Sequence, residues 1–89
     1  MAQLKIKQLS EQNEVVNVYL YKNDEIEQLM IAIPDMFWSV EIDYNDMNIN
    51  EIQEELVMQL FTFKDENEAT RIASKLSEWI ANDLKENIK

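Results

Sequence analysis

The sequence predicts an α+β fold: a four-stranded antiparallel meander followed by two helices packed on one face, ββββαα. Three observations carry this expectation. Apolar residues alternate with period two as far as Asp43. The apolar period then changes to 3.6. Between the two stretches stands a helix-start signal, Asn48 with Glu51 three residues on, flanked by Met47 and Ile52 at hydrophobic-staple positions. The 89 residues fit a single acidic domain, residues 1–89, with no internal repeat, linker or low-complexity tract.

Taken in order, Leu4-Lys5-Ile6-Lys7 alternates apolar and polar and predicts a first strand. Ser10 to Glu14 is a polar turn. Val16, Val18 and Leu20 alternate with Asn17, Tyr19 and Tyr21 in a second strand rich in β-formers. Asn23-Asp24 predicts a hairpin turn, because Asn and Asp tolerate left-handed backbone where glycine is unavailable. Leu29, Ile31 and Ile33 form a third strand that Pro34-Asp35 stops. Trp38, Val40 and Ile42 alternate with Phe37, Ser39, Glu41 and Asp43 in a fourth.

In the first helix Ile49, Ile52, Leu56, Leu60 and Phe63 share one face, and Glu51, Glu54, Glu55, Met58 and Thr62 the opposite one. Asp65 with Glu68 suggests a second capping box. Ala69, Ile72, Ala73, Leu76, Ile80 and Leu84 then make a long apolar stripe that predicts a helix to about Asn87.

Composition removes several function classes. The chain has no histidine, glycine or cysteine. It therefore lacks the usual neutral-pH proton shuttle, the bare backbone of phosphate-cradling and oxyanion turns, and soft metal ligands. The carboxylates Glu41, Asp43 and Asp46 are the best candidates for acid–base chemistry or Mg²⁺ binding, but no nucleophile–base pair or phosphate loop accompanies them. Counting a calcium loop from Asp43 puts Asn45 and Glu54 at ligand positions but Asn48 where glycine is required. An enzyme is not expected, and neither is a cofactor or a metal site. No long apolar run or signal-peptide segment is present, so no membrane association and a cytoplasmic location are expected.

The charge pattern is the informative feature. The formal net charge is −10, and residues 23–63 contain ten acids and no basic residue. A surface that serves solubility alone mixes the two signs. Glu41 and Asp43 alternate on the fourth strand, roughly 7 Å apart. Glu51, Glu54 and Glu55 line the first helix, with neighbours roughly 5–6 Å apart. Asp24, Glu25 and Glu27 cluster at the second turn, and Asp46 lies in the loop before the first helix. Duplex DNA carries one charge per roughly 3.4 Å along each strand, and carboxylates held on rigid elements approximate such an array. Direct nucleic-acid binding is disfavoured, because Arg71, Lys75, Lys85 and Lys89 are interleaved with Glu68, Glu78 and Glu86. The spacing pairs Glu68 with Arg71 and Lys75 with Glu78 as helix support.

Tyr19, Tyr21, Met30 and Phe37 are expected on the second face of the sheet, where they would form a self-association surface. Val57 and Phe61 form a further ridge at the edge of the first helix.

In size, in the missing glycine and cysteine, and in the acids Asp24, Glu25, Glu27, Glu41, Asp43, Asp46, Glu51, Glu54 and Glu55, the chain resembles the small acidic DNA-mimic proteins that phages make. Among them it looks most like inhibitors of the bacterial histone-like protein HU. The resemblance implies a phage-encoded protein in the host bacterium's cytoplasm. It also implies occupation of a basic DNA-binding groove through an extended carboxylate array, and homodimerisation that extends the array. Lys5, Lys7 and Lys22 would then have to point away from the mimic face. The alternative is an immunity or antitoxin-type protein that plugs the basic active site of a nuclease, with Tyr44 among Asp43 and Asp46 as an aromatic anchor.

Overall fold

The computed structural model describes residues 2–11, 13–45, 47–62 and 64–84. The elements run in the expected ββββαα order: β1 (Ala2–Glu11), β2 (Glu14–Asn23), β3 (Gln28–Ile33), a 3-10 turn (Pro34–Met36), β4 (Trp38–Asp43), α1 (Ile49–Leu60) and α2 (Glu66–Asp83). They fall into two compact units, residues 1–43 and residues 44–89.

The first unit is one antiparallel sheet in the order β1-β2-β3-β4, the meander that short connections between consecutive strands favour. The polar turn expected over Ser10 to Glu14 is tighter than the sequence suggested. Pairing continues to Glu11 opposite Glu14, which leaves only Gln12 and Asn13 between the strands. Asn13 takes a left-handed φ of 69°, the conformation two-residue hairpin loops need and asparagine tolerates. The second turn occupies residues 24–27. The Asn23 Oδ1 accepts a hydrogen bond from the Glu25 backbone N–H at 3.0 Å, and Glu27 is left-handed. The third turn holds Phe37 at φ 53°, ψ 40°. Phe37 thus lies outside β4, in contrast to the expected alternation. Its N–H donates to the Pro34 carbonyl at 2.9 Å and closes the 3-10 turn. With no glycine in the chain, all three inter-strand turns place a side-chain-bearing residue in the left-handed region.

Register assigns the two faces. Leu20 stands opposite Lys5 and Ile31, and Ile31 opposite Val40. This face carries Val16, Val18, Leu20, Leu29, Ile31, Ile33 and Ile42, all buried. Burying each such side chain contributes about 1.5–3 kcal/mol, which fixes the register, since a one-residue slip would turn every one of them to the other face. Lys22 lies on the same face, 1% exposed.

In the second unit α1 and α2 pack against each other, joined by residues 61–65. The Asn48 side chain accepts from the Glu51 N–H at 2.9 Å, and the Glu51 carboxylate accepts from the Asn48 N–H at 3.2 Å. The expected capping box is therefore complete at α1. At α2 only half of it forms. The Asp65 carboxylate accepts from the Glu68 N–H at 2.8 Å, but the Glu68 side chain lies 3.7 Å from Lys64. The Lys64 ammonium thus stands one turn back from Glu68, at i,i+4 spacing. Ile52, Leu56 and Leu60 are buried on α1, and Ala69, Ile72, Ala73, Leu76 and Ile80 on α2. Lys75 and Glu78 pair at 3.8 Å as the spacing predicts. Helix α2 stops at Asp83, short of the expected Asn87, and its C-cap Leu84 has φ −129°. Asn82 and Asp83 are weak helix formers, and an acid in the last turn opposes the helix dipole. Asn87 lies outside the described residues.

Candidate functional site

The open face of the sheet is set by the same register. Tyr21 stands opposite both Leu4 and Met30, and Met30 opposite Glu41, so these four strands place Leu4, Tyr21, Met30 and Glu41 in one row. The next row is Ile6, Tyr19, Ala32 and Ser39. A third, at the end near residues 24–27, is Ala2, Asn23, Gln28 and Asp43. Leu4, Ile6 and Met30 are 57%, 58% and 40% exposed, while the two tyrosines are half-buried.

The expected apolar surface is therefore larger than Tyr19, Tyr21 and Met30. Leu4 and Ile6 join it, and Phe37, 98% exposed, stands at the β3–β4 connection rather than in the ladder. The signal that could have found Leu4 and Ile6 is the closeness of β1 to β2 in the sequence, with Glu11 opposite Glu14. A two-residue hairpin fixes Ile6 opposite Tyr19, and so puts the lysines of β1 on the other face.

The acids separate into distinct environments. Glu41 and Asp43 project from β4 on the open face, both exposed. Glu25 and Glu27 are exposed in the turn at the same end of the sheet as Asp43. Asp24 is half-buried and pairs with Lys22, 2.6 Å from its ammonium, so part of its charge is already answered within the fold. On α1 the Glu51 carboxylate is engaged in the capping box. Glu55 accepts a hydrogen bond from the Gln59 amide at 2.9 Å, and Glu54 is exposed. Asp46 lies outside the described residues.

Lys5, Lys7 and Lys22 pair with Leu20, Val18 and Leu29 and so lie on the face opposite Glu41 and Asp43. Among the described residues the open face carries no basic side chain. Tyr44 is 1% exposed. Tyr44 was the aromatic anchor considered for a nuclease plug, and its ring is closed off from solvent here.

No three His, Cys, Asp or Glu side chains among the described residues gather closely enough to hold a metal ion. No helix among them is long and apolar enough to cross a membrane.

A family model described as YueH-like protein matches residues 4–82. The chain belongs to the YueH-like family. The match takes in the sheet from Leu4 onward, the turn acids of residues 24–27, α1 and nearly all of α2, so the open face of this YueH-like chain lies, from Leu4 on, within the family's shared region. No curated protein and no solved structure matches the chain.

Proposed function

We propose that this protein is a non-catalytic inhibitor that occupies the basic DNA-binding surface of a partner protein. The observation that carries the reading is the segregation of charge across the sheet. Among the described residues Glu41 and Asp43 share the open face with no basic side chain, while Lys5, Lys7 and Lys22 lie on the other face. An ordinary solvated surface intermixes the two signs, whereas the lysines of this sheet all stand on the face away from Glu41 and Asp43. Exposed Glu25 and Glu27 extend the negative field at the end of the sheet, and in the second unit Glu54 is itself exposed on α1.

Carboxylates carried on a strand and a tight turn of one sheet need little ordering when a partner arrives, which keeps the entropic cost of association low. A basic partner would release its own condensed counterions on meeting them, as it does on DNA, so binding would weaken as salt rises. The resemblance in charge pattern makes a histone-like protein such as HU the partner to try first. Exposed carboxylates spread over β4 and the β2–β3 turn favour an extended array over a single deep plug, the more so because Tyr44 is buried.

The reading is tested with an immobilised preparation of this protein exposed to purified HU at low salt and eluted with rising salt. Retention lost at moderate ionic strength supports it. Retention insensitive to salt, or none at low salt, contradicts it.

A further inference from the structure

We propose that the open sheet face is a docking site for an amphipathic helix of a partner protein, one that carries Lys or Arg along one flank. The inference rests on the basic protein partner proposed above, but not on competition with DNA. Leu4, Ile6, Tyr19, Tyr21 and Met30 lie on β1, β2 and β3 and face the same side. At 4.7–4.9 Å per strand, three strands make an apolar band about 10 Å wide. That width suits one α-helix, whose diameter with side chains is about 10–12 Å.

The flank of such a helix would lie over β4, where Glu41 borders the row of Leu4, Tyr21 and Met30 and Asp43 stands one row further on, beside Gln28 and Asn23. Residues three and four apart on a helix are roughly 5–6 Å apart, close to the roughly 7 Å between alternate residues of a strand. Two successive cations on the helix flank therefore meet two successive carboxylates. Charge decides between occupants. A second copy of this chain would bring the same acid-bearing, cation-free face, so its carboxylates would gain no counter-charge. A phosphate backbone or an anionic lipid surface would be repelled for the same reason. A cationic amphipathic helix satisfies both the apolar band and its acidic border.

The test is a titration of the ¹⁵N-labelled full chain with a designed peptide of about 18 residues, apolar on one face and lysine-bearing on one flank. A control peptide has the lysines replaced by glutamates. Expected are shifts at the amides of Leu4, Ile6, Tyr19, Tyr21 and Met30, helix formation by the lysine peptide, and no binding by the glutamate peptide. Ile6→Thr with Leu4→Thr, and separately Glu41→Lys with Asp43→Lys, should each weaken binding by about tenfold or more, a difference of about 1.4 kcal/mol. Threonine keeps β1 a good strand, and a well-dispersed spectrum in each variant verifies the fold.

Shifts confined to residues 24–27 or α1 would overturn the inference, as would equal binding of the glutamate peptide. A chain already dimeric by sedimentation, and made monomeric by the threonine pair, would also overturn it by assigning the face to a second copy. If HU is retained at low salt while the peptide fails to bind, only the helix assignment falls. If the peptide binds and HU is not retained, the inhibitor reading falls and the docking face stands.

Discussion

The Lys22 ammonium lies 2.6 Å from the Asp24 carboxylate, across the start of the β2–β3 turn, and its side chain is 1% exposed on the buried face of the sheet. A lysine is almost never fully buried unless paired, and here the partner is supplied two residues further along the chain. Removing one member of a buried pair so that the other stays charged and buried costs about 3–5 kcal/mol, whereas replacing the whole pair by apolar residues of similar volume is often neutral. Asp24→Ala is expected to destabilise strongly and Lys22→Met far less, because Asp24 remains half-solvated when left alone. Urea unfolding of the two variants checks this; equal losses would contradict it.

Phe37 combines a left-handed backbone with near-complete exposure. The left-handed conformation costs a non-glycine residue about 1–2 kcal/mol, and an exposed ring recovers little of that by burial. Phe37→Gly should therefore raise the thermal midpoint, by an amount equivalent to about 1 kcal/mol. A lowered midpoint would mean that the ring packs against something in solution.

The start of α1 depends on a reciprocal pair of hydrogen bonds between Asn48 and Glu51. Asn48→Ala should cost about 1 kcal/mol. Glu51→Lys should also destabilise, since it removes the return bond and places a cation at the positive end of the helix dipole. Charge reversal at Glu51 is consequently a poor probe of partner binding, and Glu54 is the better position on α1. Denaturation curves for Asn48→Ala and Glu54→Lys separate the roles: only the first should shift.

Strand β1 is an edge strand of ten residues with exposed Leu4 and Ile6 on one side. Lys5 and Lys7 stand on its other side. Charged side chains, lysine above all, blunt an edge against pairing with another chain. Lys5→Val with Lys7→Val should promote association, seen as light scattering that grows with concentration. A variant that stays dispersed would show that the lysines do not guard the edge.

The order of elements was legible because the apolar period changes from two to 3.6 around a capping signal, and local patterning of this kind survives into the fold. The facing of β1 was less so. Leu4-Lys5-Ile6-Lys7 announces a strand but not which side is buried, and the lysines, not the leucine and isoleucine, turned out to share the face of Val18 and Leu20. That choice is made by pairing with β2, which alternation within β1 does not encode. The left-handed Phe37 had no signal, because nothing about a phenylalanine favours that region. Of the acids, the sequence marks all as equal. The fold distinguishes those with a structural partner, Asp24 with Lys22 and Glu51 with Asn48, from those standing out on strand, turn and helix, Glu41, Glu27 and Glu54.

Competition with DNA measures the proposed inhibition directly. A fluorescently labelled duplex bound to purified HU is titrated with this protein and with a variant carrying Glu27→Lys, Glu41→Lys and Glu54→Lys, and duplex release is followed by anisotropy at two salt concentrations. Release by the native chain, weaker at the higher salt and reduced by about tenfold or more in the variant, is the expected result. No release by the native chain at low salt, or equal release by the variant, would contradict an inhibitor that works through these carboxylates.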